Sequence, residues 1–390
     1  MDALEGIRVV DLTQRLAGPG TTMYLADYGA EVIKIEPRES GEAGRSGNPD
    51  PFYQGNSLSF VNLNRNKKSV TVDARTPEGR EIVRKLATRS DVLVENFRPG
   101  VAKRLGLGYD DLARLNPRLV YASVSAYGTK GPYADKGGYD RILQGLGGLM
   151  YRRLPDGMPL TTGVYASDGG TPMVMAFGIM VALWVREKTG AGQKVDGSLL
   201  HTWLALQSGG VARAEKGPPV ERDGSAATPG VFKCGDGVYI NIAPNNPRQL
   251  ATLARLVGLD RLVDDPSYRD PAVRARVRKE VFAAVEQHLL TDTAQEWLAR
   301  IQAADVPSGP ILEKADVFEE PQILENGMLA GMEHPALGRV TVTNTAVRLS
   351  ATPAVIRTPA PALGEHTDEV LQWLGYAPGD IARLREQGVI

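Results

Sequence analysis

The chain has 390 residues, 42% of them hydrophobic, and a formal charge of -1, which allows one large domain or two around an ordinary core. So small a charge excludes a general electrostatic affinity for nucleic acid or anionic membrane and leaves small molecules and other protein chains as the expected partners. The single cysteine, Cys234, excludes an internal disulfide, and the opening MDALEGIRVVDL reads as a strand rather than a basic-apolar leader, so a cytoplasmic location is expected.

In chain order, residues 7–12 read as a strand, 16–20 (LAGPG) as a turn, 21–29 as a helix and 31–36 as a second strand, the opening of an open α/β sheet. Glu36 falls where dinucleotide-binding proteins place a ribose-holding acid. Gly18 and Gly20, however, lack the third glycine of that loop, Met23 standing in its place. After a polar loop come a strand at 69–74, a helix at 76–89 capped by Thr76 with Pro77 first, a strand at 91–97, a short helix from Val101 and a strand at 119–128. Repeated strand-helix units favour a parallel sheet, whose ligands lie beyond the carboxyl ends of its strands. The loops at 15–19, 37–45, 95–104 and 126–139 are then expected to face one crevice. Arg38, Arg45, Lys67, Lys68, Arg75, Arg98 and Arg104 make them basic and suit a ligand with phosphates.

A helix begins near Asp140, just after Tyr139, which reads equally as a packed aromatic or as a pocket residue. Asp168 stands on a glycine turn ahead of a helix opening at Pro172. Along that helix Met173, Phe177, Met180, Val181 and Trp184 recur at the spacing of a buried face, and Arg186, Lys188 and Gly190 mark its end. The apolar run 173–185 is short for a membrane span and is expected to be a buried helix. Asp168 suits a cap as well as a reacting group, and the helix N-terminus favours its ionised form. Gly169 and Gly170, which clear side chains from beside it, point to the second role.

Residues 208–228 read as a linker, 231–243 as a hairpin turning at Asp236 and Gly237, and 246–258, 274–290 and 293–304 as helices. A strand pair within 334–354 and an amphipathic helix after Thr367 end the chain. The expected fold is α/β: a large open-sheet, Rossmann-like domain (1–207 with 331–390), a smaller α+β domain (229–310), and linkers at 208–228 and 311–330.

Asp168 with the AFGIMVALWVREKTGAGQKVDGSLL that follows, VDARTPEG at 72–79 and VENFRPG at 94–100 resemble the family III CoA-transferases, which include formyl-CoA and carnitine CoA-transferases and α-methylacyl-CoA racemases. The resemblance runs over nearly the whole chain. It implies that Asp168 is catalytic, that Leu16, Ala17, Arg38, Val72, Arg75, Asn96, Phe97, Arg98 and Arg104 line a CoA site, and that Gly138, Tyr139, Gly169 and Gly170 line the substrate pocket. It also implies a C-terminal part that returns to the large domain and two ring-like chains interlocked as a homodimer. Racemases carry histidine where Tyr139 stands, and a phenol titrating at about 10 is a poor neutral-pH base. Leu16 in place of glutamine, Gly137 in place of lysine, and RDGSAATPG at 222–230 in place of four glycines turn away from formyl and oxalate substrates toward a larger or less polar acid.

The histidines His201, His288, His334 and His366 lack ligand spacing, so no metal is expected, and neither GxSxG nor GxxxxGK[ST] occurs. What remains is one carboxylate over a CoA cleft. A carboxylate nucleophile carries CoA as an aspartyl-CoA thioester between an acyl-CoA donor, succinyl-CoA by analogy, and a carboxylic acid. CoA is then substrate and carrier, with no tightly bound cofactor, and the N–H groups of Gly169 and Gly170 are expected to face the oxyanions. The alternatives are an acyl-CoA epimerase with Asp168 as acid/base and, more remotely, a nicotinamide-dependent oxidoreductase.

Overall fold

The computed structural model describes residues 1–46, 52–53, 56–152, 154, 156–216 and 230–390 and divides into two compact units, 1–224 with 327–390, and 225–326. In the first, strands β1 (Arg8–Asp11), β2 (Glu31–Glu36), β3 (Lys67–Thr71), β4 (Val92–Glu95), β5 (Val120–Ser125) and β6 (Lys194–Ser198) form one sheet in the order β3-β2-β1-β4-β5-β6, every neighbouring pair parallel. That is the order of doubly wound, nucleotide-binding sheets. Alternation along the strands feeds two cores. Val9, Val32, Val92 and Val94 face one, with Leu25, Met175, Ile179 and Leu183. Val10, Ile33, Val70 and Leu93 face the other, with Ile82, Leu86, Val370, Leu371 and Leu384.

The helices that bear on the site are α1 (Ala17–Asp27), α2 (Pro77–Thr88), α3 (Asp140–Leu146), α4 (Ala166–Thr189) and α5 (Leu199–Leu206). Residues 327–390 join this unit through polar ties as well as core contacts. Asp27 is fully buried, paired with Arg65 at 2.7 Å and bonded by the Thr345 hydroxyl at 2.6 Å. The His366 N–H donates to the carbonyl of Ser69 on edge strand β3.

The second unit is α+β, as expected. Tyr239–Ile242 pairs antiparallel with Val231–Lys233 and Ser308–Pro310, and helices Pro247–Leu256, Pro271–Leu289 and Ala294–Ala303 cover the sheet. Gly237 takes a left-handed φ of 85° in the hairpin turn.

Several expectations need correction. The AGPG stretch is the first turn of α1, not a loop. Gly18 and Gly20 serve close packing, since a Cβ on Gly18 would lie 2.4 Å from the Thr13 Cβ and one on Gly20 2.8 Å from the Pro172 Cγ. Strand β6 and helix α5 went unread, because KVDGS is a polar edge strand without an apolar signal. The C-terminal strand pair starts earlier, Leu329–His334 against Gly338–Thr343. Of the expected linker, residues 217–228 lie outside the described residues, as does 222–230 apart from Gly230.

The largest correction concerns α4. It begins at Ala166 and runs for 24 residues, long and apolar enough by length and composition to cross a membrane. Within the fold, however, Met175, Ile179, Ala182 and Leu183 pack in the core, and Arg186 is buried and paired with Asp91 at 2.8 Å. The stripe expected to be buried is the bare one: Phe177 is 71% and Trp184 64% exposed, with Met173, Met180 and Val181 beside them. The helix is apolar all round, so periodicity could not tell which stripe meets the core.

Candidate active site

In a sheet of this order the crevice opens where successive connections leave in opposite directions, here between β1 and β4 at their carboxyl ends. The loops after these two strands are stitched together there. Gln14 donates its N–H to Asn96 Oδ1 at 3.0 Å and accepts from Asn96 Nδ2 at 2.8 Å. Arg15 has a left-handed φ of 71° and donates its N–H to Glu42 Oε2 at 2.9 Å. This loop delivers Leu16 and Ala17 into α1.

Buried charges hold the loop from beneath. The side chains of Asp11, Lys34 and Lys67 are fully buried, and Lys67 Nζ lies 3.1 Å from Asp11 Oδ2 and 2.9 Å from the Pro19 carbonyl. Lys34 donates to the Thr13 carbonyl, while Thr13 and Thr22 donate to Asp11. Burial pushes the Asp11 carboxyl up, but Lys34, Lys67 and the two hydroxyls outweigh it and hold it far below the carboxylate range. Burial likewise pulls the Lys67 ammonium down to about 8, against the opposing pull of Asp11.

The expected basic rim is therefore smaller than the sequence suggested. Lys67 is internal, Lys68 pairs with Glu31 and Glu369, and Arg45 forks onto Glu36 with two bonds of 2.7 Å. Ser69 and the Glu42 N–H also donate to Glu36. That carboxylate is fully occupied within the fold and holds no ribose, which removes the residue basis of the nicotinamide reading. Four exposed arginines remain. Arg75 is forked onto Asp73, and Arg38 lies against Gly388. Arg104 rests on Gly100 and Arg98 on Gly137. Val72 is 3% exposed within the apolar core and its N–H donates to the Glu36 carbonyl at 2.9 Å, which leaves its carbonyl for a ligand, and Phe97 packs half-buried against the same cluster.

Asp168 lies half-buried in the first turn of α4, three residues past Tyr165, which occupies the cap position without a side-chain cap bond. The cap comes from Asp140, a residue the sequence reading passed over. Asp140 is 1% exposed; its Oδ2 accepts from the Ser167 N–H at 2.8 Å, the Ser167 hydroxyl at 2.7 Å and the Asp168 N–H at 3.4 Å, and its Oδ1 from Gln144 Nε2 at 2.6 Å. A buried carboxylate thus accepts from two of the N–H groups that the helix start leaves unpaired, those of Ser167 and Asp168, and takes the capping role from Asp168. No local pattern announces a cap supplied from 28 residues away.

The two glycines after Asp168 differ. A Cβ on Gly169 would meet nothing within 4 Å, whereas one on Gly170 would lie 3.2 Å from Thr202 Cγ2 on α5. Gly169 opens space beside the carboxylate and Gly170 serves packing. Their expected role as oxyanion donors is not met at Gly169, whose N–H is taken by the Tyr165 carbonyl at 2.9 Å because the helix starts earlier than expected. Tyr139 is 64% exposed at the head of α3, so its ring is not a packed core aromatic. At Gly138 a Cβ would meet the Tyr127 ring at 2.8 Å.

Asp140 joins α3 to Asp168, Gly20 joins α1 to Pro172, and Asn96 joins β4 to Gln14, so residues 14–20, 96–98, 137–140 and 167–172 form one connected cluster. An apolar hollow of ≈ 390 Å³ lined by Tyr24, Tyr28, Phe177, Met180, Val347 and Leu349 among others is a separate feature without a carboxylate or cation in its lining.

Comparison with known proteins matches residues 4–367 to CoA-transferase family III. The chain is 38% identical to a Mus musculus protein named succinyl-CoA:glutarate CoA-transferase, over all of this chain and 91% of that one. It is 34% identical to a formyl-CoA:oxalate CoA-transferase of Bradyrhizobium sp. (strain ORS 278), over all of this chain and 97% of the other. Among solved structures, a CAIB/BAIF family protein from Brucella suis superposes with a TM-score of 0.81 at 33% identity over 96% of this chain and 99% of that one. Rv3272 from M. tuberculosis gives 0.83 at 31% identity over 95% and 99%.

Proposed function

The chain belongs to CoA-transferase family III, and from that premise we propose that it moves CoA from an acyl-CoA such as succinyl-CoA to a dicarboxylic acid acceptor through a covalent aspartyl-CoA thioester on Asp168. The observation that carries the mechanism is the placement of Asp168. Its cap duty is relieved by Asp140, the open space of Gly169 lies beside it, and it joins the loop cluster at the carboxyl end of the sheet. The whole-length identity to a relative named for succinyl-CoA and glutarate supports the dicarboxylate, and Leu16 and Gly137 support an acid larger or less polar than oxalate.

The steps balance without ATP. An Asp168 oxygen attacks the thioester carbonyl, giving a mixed anhydride and CoA thiolate. The thiolate attacks the aspartyl carbonyl, the donor acid leaves, and aspartyl-CoA remains. The acceptor carboxylate attacks that thioester, giving an aspartyl-acceptor anhydride and thiolate once more; attack of the thiolate on the acceptor carbonyl yields the new acyl-CoA and restores Asp168. Each intermediate is as activated as the bond it replaces. Backbone at Val72 and the side chains of Arg38, Arg75, Asn96, Phe97 and Arg104, with Leu16 and Ala17, hold CoA in this reading, and Tyr139 borders the acyl pocket.

The working form is a homodimer, supported by the bare apolar stripe of α4 and the adjoining apolar hollow, surface that a partner chain would cover. A cytoplasmic location accords with the single cysteine. The test of the reaction is exchange of label between succinyl-CoA and glutarate. Asp168→Asn is expected to lower it by roughly a thousandfold or more, and exchange at the native rate would overturn the mechanism.

A further inference from the structure

Arg98 differs from the arginines that pair within the basic loops. Among the described residues it has no carboxylate partner, whereas Arg75 is forked onto Asp73 and Arg45 onto Glu36. Its guanidinium instead lies flat against a residue without a side chain. A Cβ on Gly137 would sit 3.0 Å from Nη2, 3.2 Å from Cζ and 3.3 Å from Nε, so a side chain at 137 would push the guanidinium by a few tenths of an ångström or more, according to its size. Gly137 is itself held, because the Tyr127 hydroxyl donates to its carbonyl at 3.5 Å and the Tyr127 ring stacks on Tyr133 at 5.4 Å. The loop then enters α3, where Asp140 bonds the Asp168 N–H. Asp140 lies three positions on from Gly137, a span of at most about 11 Å. On its other side Arg98 follows Asn96, which is locked to Gln14. Arg104, which also lacks a carboxylate partner among the described residues, rests on Gly100 within its own turn. An exposed arginine without an anion, laid along the loop that leads to the nucleophile, is a ready fork for a carboxylate.

We propose that Arg98, seated on Gly137, receives the second carboxylate of the acid acceptor and so selects dicarboxylates over monocarboxylates. The resemblance grouped Arg98 with the CoA contacts; the Gly137 seat assigns it to the acid instead. The inference rests on the transfer reading above, and its test separates the two. Wild type, Arg98→Ala and Arg98→Lys are loaded with saturating succinyl-CoA, and the mass of the Asp168 adduct confirms loading. Glutarate or pentanoate is then added, and the rate of new CoA-ester formation is followed against acid concentration. Arg98→Ala is expected to raise KM for glutarate by on the order of tenfold to a hundredfold, leave pentanoate within about twofold, and so collapse the preference, with Arg98→Lys in between. Gly137→Val, which leaves Arg98 in the chain but fills its seat, is expected to act in the same direction. Equal losses for both acids, or weaker binding of free CoA with the acid preference intact, would overturn the assignment. Failure of the wild type to form any adduct would instead remove the transfer reading, and this inference with it.

Discussion

Asp140→Ala tests whether the start of α4 is built to present Asp168. The Asp140 carboxylate accepts four hydrogen bonds while 1% exposed, from the Ser167 N–H, the Ser167 hydroxyl, the Asp168 N–H and Gln144. Truncation leaves the buried Ser167 N–H and hydroxyl without their acceptor, at about 1–3 kcal/mol each, leaves Gln144 Nε2 with the Val164 carbonyl alone, and removes a negative charge from a helix N-terminus, worth up to about 2 kcal/mol. Some of this is recovered by water entering the space, so a loss of about 3–5 kcal/mol in unfolding free energy is expected. Asp140→Asn keeps the volume but turns one donor toward another and should lose about 1–3 kcal/mol. A nucleophile displaced by about 1 Å slows on the order of a hundredfold, so adduct formation in Asp140→Asn should fall by about that factor under conditions where the variant is still folded. Urea midpoints and stopped-time mass spectra of the succinyl-CoA reaction measure both. A wild-type midpoint together with a wild-type rate would refute the reasoning; a lost midpoint with an unchanged rate would reduce Asp140 to a cap.

Two further outcomes follow from the same structure. Replacing Phe177 and Trp184 together by glutamate places charge on the bare stripe of α4 and is expected to convert a dimer to monomer in sedimentation equilibrium; a dimer of unchanged affinity would move the interface elsewhere. Lys67 titrates at about 8 in the folded chain against an ordinary 10.5. Between those values the unfolded chain binds the extra proton, so this group adds stability as pH rises through the window, by about 3 kcal/mol in full. Unfolding free energy measured from pH 7.5 to 10 should therefore climb more steeply in wild type than in Lys67→Met, and parallel curves would contradict the assignment.

The parallel sheet was legible because β1, β2 and β4 carry apolar runs bounded by turn residues, and Thr76-Pro77 announces α2 by local chemistry alone. Its edge was not, since β6 pairs on one side only and needs no apolar alternation. The α4 face was misread because both stripes are apolar, and which of them meets α1 is decided by residues far away in sequence. Asp168 was singled out by its glycine neighbours and by the resemblance. Asp140 was missed because its partners lie 27 and 28 residues on. The basic rim was overcounted for a related reason: whether Lys67 or Arg45 faces solvent or a buried carboxylate depends on the sheet order, which brings Asp11 and Glu36 beside them.

The central claim is that Asp168 becomes covalently attached to CoA. Intact-protein and peptide mass spectrometry after brief incubation with succinyl-CoA tests it most directly. The account predicts a CoA-sized adduct on the peptide containing Asp168, released by hydroxylamine and by glutarate and absent in Asp168→Asn. No adduct from any acyl-CoA, together with deuterium entering the α-carbon of a branched acyl-CoA, would contradict it and make Asp168 a proton carrier.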